Sequence, residues 1–593
     1  MIRLIKRYIT LFGLLIFVGV LIWKGHTQVS NADHINPKFN LRAFEDHEEN
    51  KNKINEIESE HTHEIPYSFS KNTGNSVIVN ADFRGPELTE ESHPETNITG
   101  IMSKTYFETN TSEKRDSIRT MMKFAWDGYK KYSWGWIALN PVKKSKADSG
   151  PFGESQSGAT IIDSLDTLYF MGMKQEFNNG VDWLAEHFEK NFVETTNLVS
   201  VFEITIRYLG GFLSAYYLSE NESQKEILLD LAKVVADKLL PAFNTKTGLP
   251  MTLISPKTGE TANYNWITGK CGILADMGSL DLEFTSLSYL TGEDKYKIAV
   301  KNVRNVIEKN PMTIFAASGQ AGGFLYPLFF DQKTGKVCQK SSSFQGLGDS
   351  FYEYLLKSWV LDHDDNQAKI MYQRSLEGLE NGILKKSKSG NYYLGQYPNG
   401  GSSMEHLACF VPGMIALGII VDKINEKKTD DESPENELFH QKWLEISENL
   451  AHSCHLGYNQ SRTGIAPDTL SFTGRGDGKA SANGEKSLIR PESIESWFYL
   501  WRLTGDEKYR EWAWDYAKGI EKWAKSDVGY SGLKNVNFVD ENEKLGNMDG
   551  EQHTFILAET FKYLYLIFSD DDLIDLTEWV FNTEAHPLKV LKK

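Results

Sequence analysis

Apolar side chains recur every three or four residues through most of the chain beyond residue 111. The first such run starts at Ser112, and its apolar positions are Ile118, Met121, Met122, Ala125, Trp126 and Tyr129. This spacing is typical of an amphipathic helix, because it places the apolar residues on one face. A helix is therefore predicted from about Ser112 to Tyr132.

Seven later segments share one pattern: a polar start with a carboxylate precedes an aromatic-rich helical run, which ends at Gly or a charged turn. The carboxylates are Asp163, Glu203, Glu283, Asp349, Glu405, Glu492 and Glu559. A second helix fits between neighbouring segments. Their irregular spacing of roughly 40 to 90 residues argues against a strict solenoid and permits a closed ring of helical hairpins. We expect an all-α fold in which the inner helices start at one rim, so that the carboxylates converge on one cavity.

These carboxylates also have a structural explanation, because the helix dipole and the unpaired N–H groups of a first turn stabilise acidic residues. That explanation suits Glu203 least, since it lies between Phe202 and Ile204 with Arg207 one turn later. Burying such a charged pair requires compensation. Clustered acids and an aromatic content of 12% favour carbohydrate chemistry, because aromatic faces stack on sugar rings and paired acids cleave glycosidic bonds.

The composition excludes several other classes of protein. The 593 residues are 40% apolar and 24% charged, which is typical of a large folded domain. Asp and Glu number 81 against 64 Lys and Arg, a net charge of -17, so nucleic-acid binding is not expected. The four cysteines lack CxxC spacing, the 14 histidines are scattered and HExxH is absent. These features argue against zinc sites and dithiol redox chemistry.

Four regions are predicted along the chain. Residues 1–7 are basic and form a cytosolic tail, and the uncharged apolar run 8–23 forms a transmembrane signal anchor. The apolar part of a cleaved signal peptide is the alternative, but the following residues offer no convincing small-x-small cleavage site. Residues 24–105 are polar and form a lumenal stem, or else an irregular part of the folded domain. Residues 106–593 form the catalytic domain.

The basic charge ahead of the apolar run predicts a single-pass type II protein, with the rest of the chain in the lumen of the secretory pathway. A short span suits a thin early secretory membrane. Four glycosylation sequons, which are used only in that lumen, give weak support: Asn97, Asn110, Asn221 and Asn459.

Six motifs between about Ile118 and Leu588 carry a resemblance to one family. They are SGATIIDSLDTLY, SVFEITIRYLGG, GLGDSFYEYLLK, RPESIES, LAETFKYLYLIFSDD and FNTEAHP. In this order they resemble the class I α-1,2-mannosidases, glycoside hydrolase family 47. The resemblance implies an (α/α)7 barrel, in agreement with the seven segments. It also implies a calcium-dependent inverting exo-hydrolase that trims α-1,2-linked mannose from high-mannose N-glycans, towards roughly five mannoses, during glycoprotein maturation.

Catalytic roles carry over onto three carboxylates. Glu203 in SVFEITIR matches the family's general acid, and Glu492 in RPESIES matches the candidate general base. Asp349 in GDSFYEY matches a third catalytic carboxylate. Inversion requires two carboxyl groups roughly 6.5 to 9.5 Å apart, so that a water fits between them. The sequence leaves the division of labour among the three residues open.

Thr583 in FNTEAHP matches the residue that binds calcium directly through its hydroxyl and carbonyl oxygens. Glu495 and Glu559 match acids around the metal and its waters. Ca²⁺ takes about six to eight oxygen ligands, so a neutral Thr among acid-held waters is chemically reasonable. From the sequence alone, Asn-Thr-Glu is equally a surface turn, and Glu495 could merely solvate the helix face one turn after Glu492.

The resemblance also implies a sugar pocket. Its residues are Arg207, Leu347, His406, Arg490 and Phe555. Arg207 could instead be a structural partner of Glu203. Leu347 stands two residues before Asp349, where the endoplasmic-reticulum enzymes of the family carry Arg. Leu gives only apolar contact, so we expect weaker branch selectivity and residence in the Golgi, with the endoplasmic reticulum as the alternative.

The resemblance places a disulfide between Cys409 and Cys454, which would close a loop of about 45 residues and add roughly 4 kcal/mol in the chain-entropy model. Cys271 and Cys338 have no counterpart, and they either pair or stay reduced.

Three rival functions stay open: a weakly catalytic glycan-binding quality-control lectin, an endoplasmic-reticulum degradation-type mannosidase and a six-hairpin glucosidase. The three catalytic carboxylates and Thr583 argue against the first. The chain's end soon after Pro587 argues against the second, and the seven acidic segments argue against the third.

Overall fold

Helices dominate the secondary structure. The computed structural model describes residues 109–147, 150–152, 156–429, 433–481 and 484–592. The predicted tail, anchor and stem (1–7, 8–23 and 24–105) lie outside the described residues. Within them, the main helices are α1 (Thr109–Tyr132), α2 (Ala159–Phe170), α3 (Lys174–Val193), α4 (Gly210–Leu218), α5 (Glu222–Leu239), α6 (Asp281–Thr291), α7 (Lys295–Glu308), α8 (Asp349–Leu361), α9 (Asn366–Gly378), α10 (Val411–Thr429), α11 (Pro434–Gln460), α12 (Glu492–Thr504), α13 (Lys508–Gly519) and α14 (Phe561–Leu566).

The even-numbered helices form an inner ring. Each packs against the next, from α2 to α4 and onward to α14, and the ring closes where α2 contacts the turn Ile556–Thr560 ahead of α14. The odd-numbered helices lie outside, each paired with an inner helix; α1 pairs with α14. The described chain therefore forms seven helical hairpins around one axis, which confirms the predicted ring.

Burial explains which helices lie inside. In α2 and α8 nearly every residue is buried, because both sides of an inner helix pack against protein. In α7 the buried residues follow the helical period of a single face: Tyr296, Val300, Val303, Arg304 and Ile307. Such a helix covers the ring with one face and meets solvent with the other.

Short turns and strands lie between the main helices. The short α-helices are Val201–Ile204, Leu274–Gly278 and Lys544–Asn547; the π-helical turns are Thr205–Leu209, Leu379–Ile383, Ile520–Ala524 and Ile556–Thr560; the 3₁₀ turns are Leu240–Phe243, Thr268–Lys270, His406–Phe410 and Asp571–Leu573. The described strands are β1 (Ala138–Asn140), β2 (Ser145–Ala147), β3 (Val199–Ser200), β4 (Leu253–Ile254), β5 (Thr261–Ala262), β6 (Gly272–Ile273), β7 (Met312–Phe315), β8 (Ala321–Leu325), β9 (Phe329–Phe330), β10 (Val337–Gln339), β11 (Leu384–Lys386), β12 (Tyr392–Leu394), β13 (Ser403–Glu405), β14 (Thr469–Ser471), β15 (Trp579–Phe581) and β16 (Pro587–Lys589). They pair antiparallel, in the orders β1-β2, β3-β4-β5, β6-β9-β10, β7-β8, β11-β12, β13-β14 and β15-β16.

One described segment, His406–Glu426, is long and apolar enough to span a membrane, but 78% of its most apolar window is buried inside the protein. It is therefore explained as a core helix of the ring. The predicted anchor at 8–23 stays a prediction.

Two disulfides crosslink the described chain. Cys409 pairs with Cys454, as the resemblance implies, and joins the turn ahead of α10 to α11. Cys271 pairs with Cys338, which settles the alternative that the sequence left open.

Candidate active site

Partly exposed side chains trace a cleft inside the ring. Each of them keeps some solvent exposure although the chain around it is largely buried. We name this surface the acidic cleft; its residues are Glu203, Arg207, Asp276, Leu347, Asp349, Glu405, Arg490, Glu492, Phe555 and Thr583. They come from seven segments, connections or helix starts, that are far apart in the sequence.

Glu203 lies in the short helix that follows β3. The Ser200 hydroxyl caps this helix by accepting a hydrogen bond from the Glu203 amide at 3.2 Å. The Glu203 carboxylate accepts a hydrogen bond from Arg207 Nε at 2.8 Å. Arg207 belongs to the π-helical turn Thr205–Leu209, and such turns are frequent at functional sites.

Arg207 connects Glu203 to three other parts of the molecule. Its Nη1 donates to Asp163 Oδ2 at 3.3 Å, to Thr554 Oγ1 at 3.1 Å and to the Glu584 carboxylate. Burial opposes ionisation of the guanidinium, but the three carboxylates outweigh it, and the pKa of Arg207 is raised. Arg207 therefore does have the structural role that the sequence left as an alternative, and it also lies in the acidic cleft.

Glu492 begins α12 and is held by a histidine. His406 Nδ1 lies 2.8 Å from Glu492 Oε2, while His406 Nε2 lies 2.9 Å from the Tyr458 hydroxyl and 3.0 Å from Ser493 Oγ. This arrangement suits an imidazole that donates to Glu492 and accepts from a hydroxyl. Burial opposes ionisation of Glu492, but His406 and the charge of Arg490 outweigh it, so the pKa of Glu492 is lowered.

One side of the cleft is formed by the cationic Arg490 and the apolar Phe555. The Arg490 guanidinium lies 5.9 Å from the centre of the Phe555 ring, and its Nε is 3.5 Å from Asp468. The His553 ring stacks on Phe555 with a centroid distance of 5.1 Å. A half-buried aromatic ring beside a guanidinium is a suitable surface for a sugar.

Asp349 is the first residue of α8 and accepts a hydrogen bond from the Ser350 amide at 2.8 Å. Burial raises the pKa of Asp349 to about 7, and the nearby carboxylates of Glu405, Glu353 and Glu492 act in the same direction. A substantial fraction of Asp349 is therefore protonated at neutral pH in the absence of a cation.

Asp276 is a cleft carboxyl that the sequence did not indicate. It lies in the short helix Leu274–Gly278, and its Oδ2 has no hydrogen-bond partner among the described residues. Burial raises the pKa of Asp276 to about 8, with further contributions from Glu203 and Asp349. No sequence signal could have found it, because its proximity to those two acids arises only when distant segments pack together.

The motif FNTEAHP forms the turn between β15 and β16. Asn582 fixes its shape by accepting hydrogen bonds from the Glu584 amide at 3.0 Å and the His586 amide at 2.8 Å. Its Nδ2 donates to Glu283 at 2.7 Å. The Thr583 amide lies 3.4 Å from the Tyr354 hydroxyl. The turn is thereby fixed in the ring rather than on the surface, which rejects the surface-turn alternative.

Carboxylates crowd the inner side of this turn. Glu495 is only 8% exposed, so the alternative that it solvates a helix face is wrong. It lies 3.2 Å from Lys357 Nζ, which also pairs with Glu353 and lies 3.5 Å from the Asn582 carbonyl. Burial and Glu353 raise the pKa of Glu495 to about 7 against the opposing effect of Lys357. Burial, followed by neighbouring carboxylates, also raises the pKa of Glu559.

A chain of buried charges lies on the outer side of the turn. His586 Nδ1 is 2.7 Å from Asp166 and its Nε2 is 3.6 Å from Asp163, while Lys562 Nζ is 2.8 Å from Asp166. Burial disfavours the imidazolium, but the two aspartates outweigh it and raise the pKa of His586 to about 9. The charges of the two aspartates therefore balance those of His586 and Lys562. Asp163 also accepts a hydrogen bond from Arg207, which links this cluster to the acidic cleft.

Three non-glycine residues with left-handed backbone adjoin predicted site residues. Leu347 has φ 76° two residues before Asp349, Ile489 has φ 62° beside Arg490, and Ala585 has φ 58° two residues after Thr583. This conformation is costly for residues with a Cβ, above all for β-branched Ile. Strain of this kind concentrates at functional sites. Leu347 packs against a small apolar cluster formed by Ile267, Cys271, Ile273 and Ala275.

The predicted site residues are thus brought together: three catalytic candidates, five pocket residues and three metal candidates form one connected network. Sequence reasoning missed Asp276, and it also missed the supporting charges Glu584, Glu353, Lys357 and His586, although each of these four lies inside a motif that it used.

Comparison with known proteins agrees with this geometry. The family model "Glycosyl hydrolase family 47" matches residues 121–590. The chain belongs to this family. It is 41% identical over 502 residues to human "Mannosyl-oligosaccharide 1,2-alpha-mannosidase IB", covering 84% of this chain and 73% of that protein. It is 39% identical to Arabidopsis thaliana "Mannosyl-oligosaccharide 1,2-alpha-mannosidase MNS1", covering 81% of this chain and 79% of that protein.

A solved family 47 relative shows the same architecture. The "alpha-1,2-mannosidase from Trichoderma reesei" superposes with a TM-score of 0.70 at 26% identity, covering 81% of this chain and 99% of that one. The motif resemblance is therefore confirmed, and the chain is a glycoside hydrolase built on the ring of hairpins described above.

Proposed function

We propose that the acidic cleft hydrolyses the terminal α-1,2-linked mannose of high-mannose N-glycans with inversion and with a bound Ca²⁺, trimming them towards roughly five mannoses. The observation that carries the proposal is the meeting of Glu203, Asp349, Glu492 and the Thr583 turn on one inner surface of the ring. The substrate class is supported by the mannosyl-oligosaccharide mannosidases to which the chain is similar.

In the proposed mechanism Glu492 is the general base. Its pKa is lowered by His406 and Arg490 despite burial, so at neutral pH it is ionised and can take a proton from an attacking water. Glu203 is the general acid that protonates the departing sugar oxygen, and Arg207 orients it. Asp349 holds a proton near neutrality because its pKa is about 7, which makes it the second candidate for the donor.

The Thr583 turn fits a hard cation. Five carboxyl groups on its inner side and flank, those of Glu283, Glu353, Glu495, Glu559 and Glu584, face two cations, Lys357 and Arg207. Glu283 Oε2 is buried without a hydrogen-bond partner among the described residues. This surplus of oxygen donors and negative charge is the environment that Ca²⁺ prefers.

Thr583 would hold the ion through its hydroxyl and carbonyl oxygens, and Glu495 and Glu559 would hold its waters. In the described part of the chain, no three His, Cys, Asp or Glu side chains form a metal cluster by themselves, so the proposed site depends on Thr583 and on water. When bound, the ion would bind mannose hydroxyls and neutralise the surrounding acids.

The proposed compartment is the lumen of the Golgi, or of the endoplasmic reticulum, with the chain held by its N-terminal anchor. Both disulfides of the described chain support an oxidising compartment. Glycoproteins bearing high-mannose N-glycans are the proposed partners in that compartment. The net charge of -17 remains an argument against nucleic-acid binding.

Incubation of the purified protein with a nine-mannose N-glycan tests the function. We expect loss of successive mannoses, and we expect a calcium chelator to stop it. Glu203→Gln should lower kcat by about 10³-fold or more, because the proton donor is lost, while glycan binding measured by calorimetry persists.

The matched control is Glu222→Gln, a highly exposed glutamate in the first turn of α5, which should trim at the normal rate. A wild-type protein that binds the glycan but releases no mannose would instead support the quality-control lectin. Normal turnover by the Glu203 variant would show that the acid is assigned to the wrong residue.

A further inference from the structure

The Cys271–Cys338 disulfide borders the acidic cleft but has no part in the chemistry proposed above. Cys271 directly precedes β6, and Cys338 lies in β10. Strand β9 pairs with both β6 and β10, so the bond joins the two outer strands of one small sheet. Cys271 is buried, whereas Cys338 is exposed to solvent.

The strand that follows Cys271 leads directly into the cleft. It continues as the short helix that carries Asp276, and the Ala275 amide donates to the Leu347 carbonyl at 3.0 Å. Upstream of Cys271, the Tyr264 hydroxyl lies near Ser200, the residue that caps the Glu203 helix. We name the segment 264–276 together with Leu347 the rim wall.

The rim wall is anchored to the main core through Leu274, and its residues Gly272 and Ile273 pair with β9, but its other apolar side chains lie outside that core. It packs on a small apolar cluster, separate from the main core, whose members are Ile267, Cys271, Ile273 and Ala275, with Tyr264, Phe329 and Leu347 against them. A satellite cluster of this size buries little apolar surface. Between Tyr264 and Cys271 the regular structure described is the turn Thr268–Lys270.

The outer end of the rim wall presents an aromatic surface. Trp266 is 63% exposed, and its ring stacks on Tyr264 at 5.7 Å with an interplanar angle of 24°. An exposed, stacked aromatic pair next to catalytic acids offers a flat face to a sugar ring. Whether a sugar ring can stack on this face depends on the position of the rim wall.

We propose that the Cys271–Cys338 disulfide is a positioning device for the rim wall, which it fixes against the sugars that lie beyond the terminal disaccharide. The inference rests on the proposed mannosidase function. A crosslink reduces the conformations open to a loop and so preorganises the surface that it carries. The bond therefore acts on binding of extended glycans and leaves the reacting atoms unaffected.

Steady-state kinetics of the double variant Cys271→Ser/Cys338→Ser test this inference with two substrates. For the nine-mannose glycan, which reaches the rim wall, we expect KM to rise about 5- to 10-fold with kcat within about twofold of wild type. For α-1,2-mannobiose, which is too short to cover the wall, kcat/KM should stay within about twofold. Trp266→Ala should raise KM for the large glycan alone, and its effect should not add to that of the cysteine changes.

Selective reduction of the folded wild-type protein gives the same test without mutation. Cys338 is exposed, whereas Cys409 and Cys454 are buried, so mild phosphine reductant should open the first disulfide alone, as alkylation and mass spectrometry can verify. The reduced protein should reproduce the KM effect.

Two results would overturn the inference: unchanged KM for the large glycan, or equal losses with both substrates, which would indicate a general structural role. A wild-type protein that cleaves neither substrate would reject the proposed function, and the inference with it.

Discussion

Individual residues of the cleft acquire their chemistry from groups that are remote in the sequence. Asp276 follows an unremarkable stretch, yet packing places it beside Glu203 and Asp349 and leaves one oxygen without a partner. Glu495 differs, because the motif RPESIES already marked it as a candidate. Whether it lies on a solvated helix face or in a site depends on its burial, which only the tertiary fold determines.

Asp276→Asn should stabilise the calcium-free protein at alkaline pH. The pKa of Asp276 is about 8 in the fold and about 3.9 in an unfolded chain. As the pH rises, Asp276 therefore loses its proton at a lower pH in the unfolded state than in the folded state. Its carboxyl thus lowers the free energy of unfolding progressively from about pH 4 to pH 8.

Urea unfolding in chelator should show the Asn variant more stable than wild type by about 1–3 kcal/mol at pH 8.5, with a much smaller difference at pH 5.5. The exposed Asp527→Asn is the control and should show no such trend. An identical difference at both pH values would contradict the assigned pKa.

His406→Phe should move the acid limb of the pH–rate profile. The hydrogen bond from His406 helps to keep the pKa of Glu492 low, so its loss should raise that pKa, and kcat/KM should need a higher pH, by about one unit, to reach its plateau. His406→Gln keeps a hydrogen-bond donor and should shift the limb less. An unmoved limb in both variants would remove Glu492 as the base.

At the scale of elements, the sequence predicted helix type and order well and local backbone poorly. The helix predicted from Ser112 to Tyr132 is observed as Thr109–Tyr132. The π-helical turns that hold Arg207 and Glu559 were not predictable, because their residues follow an ordinary helical period. The left-handed residue Ile489 was also hidden, since the usual signal for that conformation is glycine.

Lys562→Met should test how the C-terminal hairpin is anchored. Lys562 is fully buried, pairs with Asp166 and donates to the Ala585 carbonyl at 2.5 Å. Its removal leaves a buried carboxylate undercompensated, so the free energy of unfolding should fall by about 3–5 kcal/mol.

Lys589→Met is the matched control on strand β16. This lysine pairs with Glu578 at 2.7 Å near the surface, so its loss should cost about 0–1 kcal/mol. Urea unfolding of both variants makes the comparison, and equal costs would show that the buried charges do not anchor the hairpin.

At the scale of the whole molecule, the closed ring brings together acids that the sequence spreads over most of the chain. Seven acidic segments sufficed to predict the ring, although not every acid stands at a helix start: Asp163 lies within α2, and Glu405 ends β13. Disulfide pairing of Cys271 with Cys338 was not predictable, because spacing alone does not determine which strands become neighbours.

Proton NMR of the first mannose released from an α-1,2-linked substrate distinguishes inversion from retention at the anomeric carbon. Opposed acid and base groups that share the cleft with an attacking water should invert the anomeric centre. We therefore expect the β-anomer to appear first and the α-anomer to form only by mutarotation. Initial release of the α-anomer would contradict this expectation, because retention requires a covalent intermediate on one of the carboxylates.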